Sequence, residues 1–281
     1  MSINLLKKIP VREIPPVPNV NNKLSPDAPV IGVGGGLPRI VCHFSCGAAS
    51  AVATYLAIQK YGKENVTIVN IHIEEEHPDN MRFLKDCEEW FGKEIQIIKD
   101  EKFNASIYEV FKRTSFLRSP QGAPCTTRLK RMVRANFSRP DDLNIYGFTV
   151  EEMKRAEDFQ DRNPEIKCEF PLIDRQFTKS DCLGSLELFE IPIPTMYQLG
   201  YNNNNCVGCV KGGMGYWNKI RKDFPDVFYR MASVEREIGH SILKDKNGSV
   251  FLDELSPSRG RIDDEPDIEC SFICRSAFGV A

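Results

Sequence analysis

Apolar positions recur along this chain in two alternating rhythms. Short, nearly continuous apolar runs at 39–44, 66–73, 94–98 and 143–148 predict strands, with a fifth near 167–170. Between them, segments 48–61, 78–91, 105–113, 126–137 and 179–189 carry helical apolar spacing, the first closed by Gly62. Apolar strands alternating with helices imply a parallel sheet with helices on both faces, an α/β fold of the Rossmann-like kind. In such sheets ligands lie beyond the carboxyl ends of the strands, which points to the turn after residue 44.

The ends of the chain depart from this rhythm. Residues 1–38 form a Pro/Gly-rich lead-in whose prolines prevent a regular helix or central strand. Gly32–Gly36 imitates a dinucleotide fingerprint, but no strand precedes it and no helix follows, so that reading is rejected. The main α/β domain is expected over 39–190. Residues 191–281 read as a smaller, helical C-terminal region that folds back over the site; it holds an Asn-rich turn, Asn202–Asn205, helices near 215–222 and 227–238, and a tail rich in acids and proline.

Composition narrows this picture only slightly. The chain has 281 residues, 41% hydrophobic and 27% charged, with a net charge of −2, so it is neither strongly basic nor depleted of core formers. No apolar run is long enough for a membrane span and the N-terminus lacks an h-region, so a cytoplasmic protein is expected. Its ten cysteines are then thiols or metal ligands rather than disulfides. Cys42, Cys87 and Cys182 fall in apolar patterns and are expected to act as small core hydrophobes.

The turn itself reads Ser45-Cys46-Gly47-Ala48-Ala49-Ser50. Its small residues suit either an ordinary strand-to-helix turn or a backbone cradle for phosphate at a helix N-terminus. The stretch Phe44–Ser50 resembles the modified P-loop of the adenine-nucleotide α-hydrolase (PP-loop) superfamily, which includes ATP pyrophosphatases and phosphoadenylylsulfate (PAPS) reductases. The family pattern is Ser-Gly-Gly-x-Asp-Ser. Ser45, Gly47 and Ser50 match it, Cys46 stands at a glycine, Ala48 at the variable position and Ala49 at the aspartate. The resemblance extends over roughly 39–212 and implies a HUP-type sheet and an adenine nucleotide (ATP, APS or PAPS), with magnesium as the family's companion ion.

Two further segments carry it. Gly147, with Glu152 and Arg155 after it, resembles the strand-end Gly and Glu-x-x-Arg that lie against nucleotide in the relatives. By that match Gly147 leaves room for the nucleotide and Arg155 forks onto phosphate or sulfate; without it, Glu152 and Arg155 read equally well as a surface pair. Pro171-Leu172, followed by Lys179 in the first turn of a helix, resembles the family's Pro-Leu segment. A cation there opposes the helix dipole and hints at an anion.

Cys206-Val207-Gly208-Cys209 and Cys125, which lies in a Cys-Thr-Thr-Arg-Leu-Lys segment, complete the chemistry. The latter resembles the Cys-Cys-x-x-Arg-Lys segment of adenylylsulfate (APS) reductases, with Pro124 at the first cysteine. That resemblance implies a 4Fe–4S cluster on Cys125, Cys206 and Cys209; three thiolates with one open iron also resemble iron–sulfur tRNA thiolases. A zinc site on Cys206, Cys209, Cys270 and Cys274 is the alternative. In the tail, Glu269-Cys270 resembles the reductases' mobile Glu-Cys segment and makes Cys270 a candidate nucleophile; Cys270 or Cys274 serves equally as a fourth ligand.

Between 111 and 140 there are eight cations (Lys112, Arg113, Arg118, Arg128, Lys130, Arg131, Arg134 and Arg139) and no acid. They form either a solvated face that offsets a cluster and a nucleotide or a landing strip for nucleic acid. Three functions follow. The first is a PAPS/APS reductase-like enzyme drawing on a thiol reductant such as thioredoxin. The second is an ATP-dependent iron–sulfur sulfurtransferase acting on nucleic acid. The third is a catalytically inactive nucleotide-binding module. A homo-oligomer is compatible with each.

Overall fold

The computed structural model describes residues 38–120, 122–265 and 268. Its chain order is β1 (Ile40–His43), α1 (Ala48–Tyr61), β2 (Val66–Ile71), α2 (Asp79–Phe91), β3 (Gln96–Ile98) and α3 (Ile107–Thr114). A π-helical turn, Thr126–Arg131, leads into α4 (Met132–Phe137), then β4 (Leu143–Ile145), α5 (Met153–Arg162), β5 (Cys168–Glu169), α6 (Pro171–Asp174) and α7 (Lys179–Leu188). The C-terminal part adds α8 (Thr195–Gln198), α9 (Met214–Asp223), α10 (Pro225–Ile238) and an antiparallel hairpin of β6 (Leu243–Asp245) and β7 (Gly248–Val250).

The fold is α/β, as the alternation predicts. Five parallel strands lie in the order β3-β2-β1-β4-β5. The chain runs outward from β1 to β3 and then returns to the other side of β1 with β4. The strand order therefore reverses between β1 and β4, where a parallel sheet opens a crevice at its carboxyl edge. Three strands are shorter at their carboxyl ends than the apolar runs predict: β1 ends at His43, β2 at Ile71 and β4 at Ile145. There the backbones diverge from the ladder to enclose that crevice.

Burial follows the patterns that form the elements. All four β1 residues are buried, because helices cover both faces of the strand. α2 turns Phe83, Leu84, Cys87 and Phe91 inward at helical spacing and ends at Gly92 in the left-handed region. One hydrophobic cluster joins β1, α1, α2 and α7. A second draws on both sides of residue 190: it joins α3 and the Ala123–Leu129 segment to α9, α10 and the hairpin.

Candidate functional site

The crevice is a cleft of about 170 Å³ at the carboxyl ends of β1 and β4. Of the ten residues nominated for nucleotide, eight line it: Ser45, Gly47, Ala49, Ser50, Gly147, Glu152, Arg155 and Lys179. The side chains of Cys46 and Ala48 do not; both are packed in the sheet–helix core. Cys46 has φ of +55°, a left-handed conformation that suits the family's glycine and strains a residue with a Cβ. Burial, with the Glu76 carboxylate second, pushes the Cys46 thiol well up, so it behaves as a hydrophobe and not as a nucleophile.

Ser50 organises the loop. Its Oγ accepts from the Ser45 and Gly47 amides (3.1 and 3.3 Å) and from Ser45 Oγ, and it donates to the Gly47 carbonyl at 2.9 Å. The loop is therefore held in shape before any ligand arrives. Gly147 lines the cleft and has a second reason to be glycine, in the backbone. A Cβ there would stand 2.8 Å from Ser50 Cα and N and 2.9 Å from the Ala49 carbonyl carbon. Its missing side chain lets the end of β4 meet the first turn of α1, so Gly147 makes room for backbone.

The charged residues are already engaged with one another. Arg155 donates to Glu152 Oε1 and its guanidinium stands 5.0 Å over the Phe148 ring, while Glu152 also accepts from the Thr149 amide as a helix cap. Lys179 Nζ donates to Asn203 Oδ1 at 2.9 Å, which ties α7 to the Asn-rich turn. That turn folds over the cleft as expected of the C-terminal region: Asn203, Asn204 and Asn205 all line it.

Other lining residues were not read from the sequence as contributing to the cleft. His43, at the end of β1, donates from Nε2 to Asn144 Oδ1 at 2.8 Å and stacks on Tyr146 at 4.8 Å. Burial lowers its pKa to about 4, so it is neutral at pH 7. Glu76 and Lys130 approach at 3.5 Å, with side chains 9% and 12% exposed. Tyr197 lies against the loop, its hydroxyl 3.2 Å from where a Gly47 Cβ would stand, and burial raises its pKa to about 12. The signal for Lys130 was its place five residues after Cys125; an unpatterned acidic run, 74–76, gave none for Glu76.

The three metal candidates come together differently. Cys125, Cys206 and Cys209 are all buried in one hydrophobic cluster, although 80 residues separate the first two. The C-x-x-C turn is held from several sides. Tyr216 Oη accepts from the Gly208 and Cys209 amides at 3.0 and 2.9 Å, the Glu75 carbonyl accepts from the Val207 amide, and Arg118 donates to the Val210 carbonyl. Gly208 takes φ of +78°, and a Cβ there would meet Val227 Cγ1 at 2.6 Å. The donor set is soft and suits iron–sulfur or zinc. Among the described residues, however, no three His, Cys, Asp or Glu side chains form a group at metal-binding spacing. Cys270 and Cys274, the candidate nucleophile and further ligands, lie outside the described residues.

A second cavity, of about 30 Å³, adjoins Cys206 and Tyr216; it shares Asn203, Asn205 and Ile268 with the cleft. The Asn-rich turn is thus the partition between the two. Thiols elsewhere are packing: burial raises those of Cys42, Cys87 and Cys182, in line with their sequence context. The basic segment is not one face. Lys130 enters the cleft, Arg118 binds the Val210 carbonyl, Arg134 donates to Tyr146 Oη and Arg113 pairs with Glu109. No helix among the described residues is long and apolar enough to cross a membrane.

No family model matches the chain. Over 201 residues, 70% of its length, it is 25% identical to an uncharacterized protein, MJ0066, from Methanocaldococcus jannaschii, and the match spans 42% of that relative. Among solved structures, it is similar to the U34-tRNA thiolase NcsA from Methanococcus maripaludis with its 4Fe–4S cluster, at 14% identity, 74% of each chain and a TM-score of 0.36. It is also similar to a glutamine-dependent NAD+ synthetase from Acinetobacter baumannii in complex with ADP. There identity is 15%, coverage is 85% of this chain and 46% of that one, and the TM-score is 0.39. Likenesses at this level carry no chemistry across, and the α/β class rests on the chain's own five parallel strands.

Proposed function

We propose that the chain is a PP-loop-type enzyme that binds an adenine nucleotide in the cleft at Ser45–Ser50 and uses it to activate an acceptor for sulfur chemistry. The observation that carries this reading is the convergence of three separate segments, the Ser45–Ser50 loop, Gly147 with Glu152 and Arg155, and Lys179, on one cleft at the sheet's switch point. Lys130, with Arg155 beside Glu152, supplies positive charge for phosphates. Neutral His43, stacked on Tyr146, offers a flat polar surface at the cleft wall.

Of the two enzymatic readings, the ATP-dependent sulfurtransferase is favoured. Its three thiols, Cys125, Cys206 and Cys209, share one buried cluster, and Cys206 lines the small cavity on the far side of the Asn-rich turn from the cleft. In the favoured reaction an acceptor oxygen attacks the α-phosphorus of ATP, the α–β bridging bond breaks and pyrophosphate leaves. A sulfur nucleophile then displaces AMP from the activated carbon. Cys125, Cys206 and Cys209 would hold an iron–sulfur cluster, which supplies inorganic sulfur chemistry beside the acceptor. Nucleic acid is the proposed acceptor class, supported by exposed Arg128 and the 111–140 cations that remain at the surface.

The test is product analysis on anaerobically purified protein. ATP with RNA or DNA is expected to give AMP and pyrophosphate, with sulfur entering the polymer, and iron and sulfide are expected in the protein. Sulfite release from APS or PAPS without ATP would restore the reductase. Nucleotide binding without turnover of either would leave the inactive module.

A further inference from the structure

The loop lacks the acid that its family pattern carries: Ala49 stands at that position and presents only a methyl group to the cleft. A carboxylate reaches the same cleft from another element. Glu76 follows β2 on a turn closed by its amide on the Ile73 carbonyl, and its side chain is 9% exposed. We propose that Glu76, with Asn204 beside it, supplies the oxygen ligands for a divalent cation that bridges to the phosphates of the bound nucleotide. This rests on the nucleotide reading above and assigns the cation's protein ligands.

The carboxylate is anchored to the loop through two buried amides. Asn80 Nδ2 donates to Glu76 Oε2 at 3.2 Å, Asn204 Nδ2 donates to Asn80 Oδ1 at 2.7 Å, and the same nitrogen donates to the Cys46 carbonyl at 2.7 Å. Glu76 is thus linked to the loop backbone through two side-chain amides. Its other oxygen faces Lys130 Nζ at 3.5 Å, well beyond the roughly 2.7–2.9 Å of a tight charged pair, so the contact is exchangeable.

Asn204 gives an independent sign of a missing partner. It is 7% exposed and lines the cleft, yet its Oδ1 is buried and accepts no hydrogen bond. A buried amide oxygen without a donor calls for one, or for a cation. Magnesium prefers hard oxygen ligands and is commonly held by one or two carboxylates together with substrate phosphates and water. Glu76, Asn204 and a nucleotide provide that set. When the cation takes the carboxylate, Lys130 is released toward a phosphate and the charges alternate across the cleft.

The experiment is calorimetric binding of a non-hydrolysable ATP analogue to the whole chain in EDTA and in magnesium. Magnesium is expected to tighten binding to the natural protein by about tenfold. In Glu76→Gln that tightening disappears, while affinity in EDTA is retained or improved because a negative charge near the phosphates is gone. As a second readout, Mn2+ is expected to give a bound-ion electron paramagnetic resonance signal on the natural protein with the analogue, and that signal is lost in Glu76→Gln. Binding that is indifferent to magnesium, or full tightening in Glu76→Gln, overturns the cation site and leaves the nucleotide reading standing. No binding in either buffer removes both.

Discussion

The cleft and the cysteine cluster are built by opposite means. The cleft is made of backbone: strand ends diverge, Gly147 lets β4 touch α1, and Ser50 holds the loop amides in place. Its main parts lie close to motifs, since β1 ends just before the Ser45–Ser50 loop and β4 just before Gly147. The cysteine cluster is made of side chains brought from distant parts of the chain, with Cys125 on one segment and Cys206 and Cys209 on another, all within a core shared by α3, α9 and α10. A site made of backbone is fixed by local sequence, whereas one made of side chains depends on how the whole C-terminal part packs.

The sharpest way to break the first region alone is Gly147→Val. Its side chain would enter the Ser50 backbone, and a destabilisation of about 3 kcal/mol or more is expected from urea unfolding, with nucleotide binding lost. A variant as stable as the natural chain would show that the close approach is not required. The matching change in the second region is Cys209→Ala. It is expected to abolish bound iron while leaving nucleotide affinity within about twofold, because distant sites act nearly independently; unchanged metal content would detach Cys209 from the cluster.

A pH titration separates the regions further. Glu235 is fully buried in α10, where its carboxyl accepts from the Ile242 and Leu252 amides and so fastens the chain around the β6–β7 hairpin. Burial dominates over those two amides and raises its pKa from 4.5 to about 7. The folded chain therefore keeps a proton that the unfolded chain has lost between those values. Its stabilising share is complete below pH 4.5 and falls away as pH rises through about 7, by on the order of 3 kcal/mol. Urea midpoints from about pH 5 to about pH 8 should decline in the natural chain and flatten in Glu235→Gln; equal slopes would contradict the assignment.

The smallest effect is expected at Cys46. Glycine relieves a left-handed residue and loses a buried thiol, so Cys46→Gly should change stability by less than about 1 kcal/mol in either direction. A large loss would mean that the thiol's packing governs the loop.

Much of the fold is legible from periodicity. The first helix occupies 48–61 as its pattern predicts, and the five strands fall within their apolar runs. The β6–β7 hairpin escaped, although Asn247-Gly248 between apolar residues is a turn signal, because the strands are only three residues long. At the site, motif residues were legible where backbone demands them. Glu76 and Asn204 were not singled out within their runs of like residues, because one member of such a run gains meaning only from what the fold sets beside it. Gly147 was legible as a requirement for glycine, but only the packing gave its backbone cause.

The most direct test of the central claim is isothermal titration of the purified chain with ATP, alongside Lys130→Met. The account predicts one site per chain with micromolar affinity, weakened about 10- to 100-fold in Lys130→Met by loss of a charged contact to phosphate. Absence of ATP binding, or equal affinity in the two proteins, would contradict it.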